Sequence, residues 1–165
     1  MCCNIHNMKF ANRCFSYIII CVMMLAFSVS ANAQVEAFKK YSNSKDITYV
    51  YISKAMLRFA GGKAAPSVPG VDMKGLSGKL SGIQIITSDS KAARTRLENE
   101  TMDIVKANKY ELLMQVDDDG EKVRIYSKEG KKQSVIIMYV DETDETSVIV
   151  FSGTFTMSDI EKMMK

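Results

Sequence analysis

The chain has 165 residues, a formal net charge of +3, four cysteines and a single histidine. That length suits one domain. With 22 basic against 19 acidic residues, its near-neutral balance gives no electrostatic reason to expect nucleic acid or an anionic membrane surface as partner.

Residues 1–33 stand apart. They carry Lys9 and Arg13 and no acidic residue, then an almost wholly apolar run from Phe15 to Val29, then Ala31-Asn32-Ala33. A positive start, a short apolar stretch and a small-x-small site predict a secretory signal peptide cleaved after Ala33. The run falls short of the about 20 apolar residues of a comfortable membrane span. Cys14 follows Arg13 and Cys21 follows Ile20, neither of them the small residue a lipoprotein signal requires, so no lipid anchor is expected. The expected mature chain is one domain, residues 34–165, periplasmic or extracellular, without a transmembrane span.

Cleavage removes Cys2, Cys3, Cys14, Cys21 and His6, and leaves 20 basic against 19 acidic residues. A chain without thiol or imidazole cannot run Ser-His-Asp or Cys-His catalysis, and lacks thiolate and imidazole ligands for zinc or copper. No disulfide can staple it, so its stability rests on an ordinary core.

In chain order, Val35, Ala37, Phe38 and Tyr41 have the spacing of a short amphipathic helix. Ile47–Ile52 is β-branched and aromatic, a predicted strand, and Ala55–Phe59 a helical turn or two stopped by Gly61-Gly62. Residues 61–82 hold six of the nine glycines and both prolines, which predicts a long loop, with a short helix at Met73–Leu80. Ile83–Thr87 is a second strand. Ser88 or Asp89 then caps a helix over about residues 90–108, whose inner stripe is Ala93, Leu97, Ile104 and Asn108, with Val105 beside it.

From Tyr110 the period becomes two. Strands are predicted at Glu111–Val116 and Lys122–Ser127 around an Asp118-Asp119-Gly120 hairpin turn. The apolar runs Ser134–Val140 and Ser147–Ser152 read as central strands covered on both faces, joined by the acidic loop Asp141–Thr146. Thr156, with Asp159 three residues on, opens the last helix, with Ile160 and Met163 facing inward. The expected fold is α+β: a predominantly antiparallel sheet of about six strands, ending in a four-stranded meander, with helices packed on it.

Motifs that suggest chemistry do not hold up. Ser42–Lys45 and Ser88–Lys91 have Ser-x-x-Lys spacing without the S-D-N and K-T-G elements that accompany it. Setting Gly120 at position six of a calcium loop puts Gln115 and Tyr126 where carboxylates are needed. Gly78-Lys79 lacks the earlier glycine and the following Ser or Thr of a phosphate loop. Paired carboxylates are inevitable among 19 acidic residues. No catalytic residue, cofactor or metal is expected.

Asp46-Ile47-Thr48-Tyr49-Val50-Tyr51-Ile52-Ser53-Lys54-Ala55-Met56-Leu57, Gly75-Leu76-Ser77-Gly78-Lys79-Leu80-Ser81-Gly82-Ile83-Gln84-Ile85-Ile86 and Phe151-Ser152-Gly153-Thr154-Phe155-Thr156-Met157-Ser158-Asp159-Ile160 resemble the family catalogued as domain of unknown function 4252. The resemblance spans essentially all of residues 34–165. It implies an exported protein of Bacteroides-like Gram-negative bacteria, a family in which lipoprotein signals are common, and it carries over no activity and no catalytic residues.

The expected function is a non-enzymatic binding or interaction module of the cell envelope, its partner an envelope protein or a small ligand. The alternatives are a small carboxylate-dependent hydrolase and a small-ligand carrier. Loops on a rigid scaffold commonly carry binding, so the expected contact surface is the Gly/Pro-rich loop, at Gly61, Gly62, Pro66, Pro69, Gly75 and Gly78, together with Tyr49 and Tyr51.

Overall fold

The computed structural model describes residues 36–59 and 78–163. They form an α+β fold built on one six-stranded sheet in which every pairing is antiparallel. A 3-10 helix (Lys39–Asn43) leads into β1 (Thr48–Ser53) and α1 (Lys54–Phe59). Strand β2 (Leu80–Ser88) and the long helix α2 (Lys91–Ala107) follow, then β3 (Glu111–Asp118), β4 (Glu121–Lys128), β5 (Ser134–Asp141), β6 (Thr146–Gly153) and α3 (Met157–Met163). The strand order is β1-β2-β6-β5-β4-β3, so β1 and β3 are the edges.

The two faces of the sheet bury separate apolar clusters. On the first, Ile86, Ile137, Tyr139, Val148 and Val150 lie beneath Ala93, Leu97 and Val105 of α2, with Phe38 and Tyr41 closing one side. On the second, Ile83, Ile125, Ile136, Met138 and Phe151 meet Leu57 of α1, Phe155 and Ile160 of α3.

Several expectations are corrected. The buried stripe of α2 is Ala93, Leu97, Thr101 and Val105, an unbroken i, i+4 series that a search for apolar residues misses at Thr101. Asn108 lies off that stripe, at the C-cap, where its side chain donates to the Ile104 carbonyl at 2.8 Å. The N-cap is Ser90, whose own side chain makes no capping bond; the Ser88 hydroxyl instead accepts from Ser90 N–H at 3.2 Å and donates to the Asp46 carbonyl at 2.7 Å. The 61–82 loop ends early, because β2 begins at Leu80 and contains Gly82 beside a bulge. Gly78 and Lys79 form a turn and Leu80 is in the strand, so no helix covers that end of Met73–Leu80; residues 73–77 lie outside the described residues.

Two turns place non-glycine residues in the left-handed region. Asp119 (φ 41°) and Gly120 (φ 91°) form the two-residue turn between the paired Asp118 and Glu121, which matches the twist of the flanking strands. Lys109 (φ 55°) ends α2, with Tyr110 N–H bonded to the Val105 carbonyl at 3.0 Å and Lys109 N–H to the Lys106 carbonyl at 3.2 Å, the paired bonds of a Schellman cap.

Candidate interaction surface

The residues expected to form a contact surface do not come together as one. Gly61, Gly62, Pro66, Pro69 and Gly75 lie outside the described residues. Gly78 is exposed in the turn before β2. Tyr49 and Tyr51 share a face of edge strand β1 but differ in role. Tyr49, opposite Ile86, packs against the first cluster, and burial pushes its phenol upward in pKa against the opposing pull of Lys39. Tyr51 is half exposed, with its ring over Gly82 of β2, where a Cβ would meet the ring at 3.1 Å. A side chain at position 82 would press the Tyr51 ring aside by a few tenths of an ångström, a close approach of the kind that favours glycine inside a strand.

A different surface emerges on the second face. The register lines up Val50, Ile85, Ile149, Met138, Ile125 and Met114 as one row across all six strands. A neighbouring row continues through Val140, Val123 and Val116. Helices α1 and α3 contribute Leu57 and Ile160 to this face, yet Ile85, Met114, Val123, Val140 and Ile149 stay partly open, and Val50 and Val116 are more than two-fifths exposed. The expectation of full cover on both faces is thus corrected at Val140 of β5 and Ile149 of β6. Met114, Val116, Val123, Met138 and Val140 line a depression of about 340 Å³, with Glu121 and Glu142 as its charged lining residues. Period two sorted these side chains onto one face; it carries no information about which half of that face finds a cover.

Polar depressions occur elsewhere. One of about 390 Å³ is lined by Arg94, Glu98 and Asp141 among others. Asp141 is committed there: its Oδ1 accepts from Arg94 Nη2 at 3.2 Å and from the Thr146 hydroxyl at 2.5 Å. Arg94 also donates to the carbonyls of Thr143 (2.8 Å) and Glu142 (2.5 Å) and to Thr146 Oγ1 (3.0 Å), which fastens the β5–β6 turn to α2.

Two carboxyl groups shift in the direction opposite to that of a general acid. For Glu100, burial raises the pKa, but hydrogen bonds from Lys40 and Tyr41 outweigh it and hold the group below its usual range. Asp159 is brought down to about 2, first by Lys79 Nζ at 2.6 Å, then by the backbone N–H and hydroxyl of Thr156. The expected capping box is therefore met in the half where Asp159 reaches back to Thr156 N–H, while the Thr156 hydroxyl donates to the carboxylate. A depressed carboxyl stabilises the fold above its unfolded pKa, and that contribution is lost as pH falls through the folded one. The link between α3 and the Lys79 turn is accordingly expected to weaken between pH 3.8 and about 2. NMR titration of the Asp159 carboxyl checks this. A midpoint at the ordinary value, or an acid step in the α3 signals that persists in Asp159→Asn, contradicts it.

Among the described residues no helix is long and apolar enough to cross a membrane, and no group of three or more His, Cys, Asp or Glu side chains is placed to hold a metal ion. The model of the family described as domain of unknown function (DUF4252) matches residues 41–163. The chain belongs to this family. The family match takes in all six strands and α1 to α3, and the buried Phe38 adds to the core three residues ahead of it. No curated protein and no solved structure matches the chain.

Proposed function

We propose that this member of the DUF4252 family is an exported, non-enzymatic interaction module of the cell envelope, working in the periplasm or outside the cell. Export is supported by the charged, apolar and small-x-small segments of residues 1–33. The interaction role is supported by one observation above the others: the partly uncovered apolar rows of the second sheet face, centred on Met114, Val116, Val123 and Val140. Adjoining apolar side chains left open on a folded domain are a common feature of contact surfaces. In this reading the C-terminal four-stranded meander is the rigid platform and its outer half the contact surface.

Two measurements test the proposal. Mass spectrometry of the protein from its host is expected to find Gln34 as the N-terminus; an intact Met1 in a cytoplasmic pool overturns the export half. A photo-crosslinking side chain at Val116, on the apolar rows, is expected to trap a protein in intact cells, whereas one at Lys91 on α2 is not. Equal trapping from both positions, or none from Val116, overturns the interaction half.

A further inference from the structure

The apolar depression on β3–β5 has a counterpart on the same chain. Helix α1, of sequence Lys-Ala-Met-Leu-Arg-Phe, buries only Leu57. Its Met56 is 52% and its Phe59 88% exposed, the largest exposure of any big apolar side chain among the described residues. Lys54 and Arg58 flank them, both exposed, and the helix has no acidic residue. The depression is the inverse: apolar walls from Met114, Val116, Val123 and Val140, with Glu121 and Glu142 as its charged residues. A basic helix with two bare apolar side chains and an acid-edged apolar hollow are complementary in both respects that govern recognition.

Within one molecule the two cannot meet. Leu57 places α1 on the second sheet face, and the helix follows directly on Ser53, which pairs with Gly82 at the beginning of β2. The hollow lies on the same face, at the other edge of the sheet and the other end of the strands, where Val116 pairs with Val123 and Val123 with Val140. The two sites thus occupy diagonal corners of a single face. A twofold axis lying along that face, at right angles to the diagonal, brings each α1 over the partner's hollow and makes two equal contacts. It also sets the partly open Ile85 and Ile149 near the centre of the interface. Such an arrangement is closed and self-complementary, the commonest form of oligomer. Stacking the hollows directly on one another would instead oppose Glu121 and Glu142 with their own copies.

We propose that the chain forms a twofold dimer in which Met56 and Phe59 of each copy enter the Met114–Val116–Val123–Val140 hollow of the other, steered by Lys54 and Arg58 against Glu121 and Glu142. This inference rests on the reading of the apolar rows as a contact surface and names the occupant as a second copy.

Reversing charges provides the test, with mass read by light scattering of the purified chain at about 100 μM, a concentration that populates a micromolar dimer. The wild type is expected to be dimeric. Glu121→Lys with Glu142→Lys is expected to weaken self-association by about tenfold or more, and Lys54→Glu with Arg58→Glu to do the same. Mixing the two variants is expected to restore the dimer, because both contacts of the mixed pair then regain opposite charges. All four side chains are exposed, so circular dichroism is expected to stay unchanged. A monomeric wild type overturns the proposal, whether the hollow is covered by another protein or by the chain's own residues 60–77; so does a dimer indifferent to the reversals, or one that mixing fails to restore. A monomer that still traps a different protein from Val116 would leave the interaction reading standing and remove only the second copy.

Discussion

Phe38→Ala is expected to cost about 3–5 kcal/mol, the usual range for deleting a buried phenyl group from a core. Phe38 is fully buried, its ring centroid is 6.5 Å from that of Tyr41, and both belong to the cluster beneath α2. The segment carrying it is tied down separately, since the Tyr41 hydroxyl donates to Glu100 of α2 and Lys40 pairs with the same carboxylate. For a domain of this size the loss corresponds to a fall of roughly 10–20 °C in Tm. Urea unfolding should show a lower midpoint at unchanged slope. A cost below about 1 kcal/mol would mean that the residues ahead of the family match decorate the domain rather than complete it.

The second large effect is expected at Arg94. Its guanidinium reaches Asp141, Thr146 and the carbonyls of Glu142 and Thr143, while Asp141 and Thr146 bond to each other. Arg94 and Asp141 are both about one-fifth exposed, and Thr146 is fully buried. Arg94→Ala therefore leaves the Asp141 carboxylate with only the Thr146 hydroxyl as donor and releases the Glu142 and Thr143 carbonyls to water, at an expected cost of about 2–3 kcal/mol. Arg94→Lys is expected to recover only a minor part, because an ammonium cannot reproduce a planar fork that serves four acceptors at once. Hydrogen exchange should show the 141–146 turn opening in both variants. Full recovery by lysine would show that the charge alone matters and the fork does not.

The strands were legible because their chemistry is local. Val123 and Ile125 alternate with Lys122 and Arg124, and the structure places them on opposite faces. Asp119-Gly120 announced its turn through the one residue that takes φ of 91° freely. What stayed hidden depends on contacts distant in sequence. Thr101 is polar, so only the helix packed on the sheet reveals it as the centre of the buried stripe. Gly82 reads as a loop residue until Tyr51, thirty-one positions earlier, is seen lying across it. Ser88 looked like a helix cap, yet its hydroxyl serves Asp46 on the neighbouring segment as well as Ser90. The apolar hollow was hidden for the same reason: alternation assigns Val116, Val123 and Val140 to one face, and only the placement of α1 and α3 shows which part of that face stays bare.

The strand order has a consequence for how the molecule is made. Strand β2 finds its inner neighbour in β6, so that Ile83 pairs with Phe151 and Ser88 with Thr146. A chain emerging from its N-terminus thus makes the β1–β2 pair early and holds the inner rim of β2 vacant until nearly the last residues appear. Closure over so long a separation is slow, and an unmatched rim is a template for joining neighbouring chains. Newly made molecules are accordingly expected to be most prone to clumping just before β6 arrives, and a chain cut short ahead of Thr146 is expected to stay in that state, which the sedimentation of such a truncated chain would check.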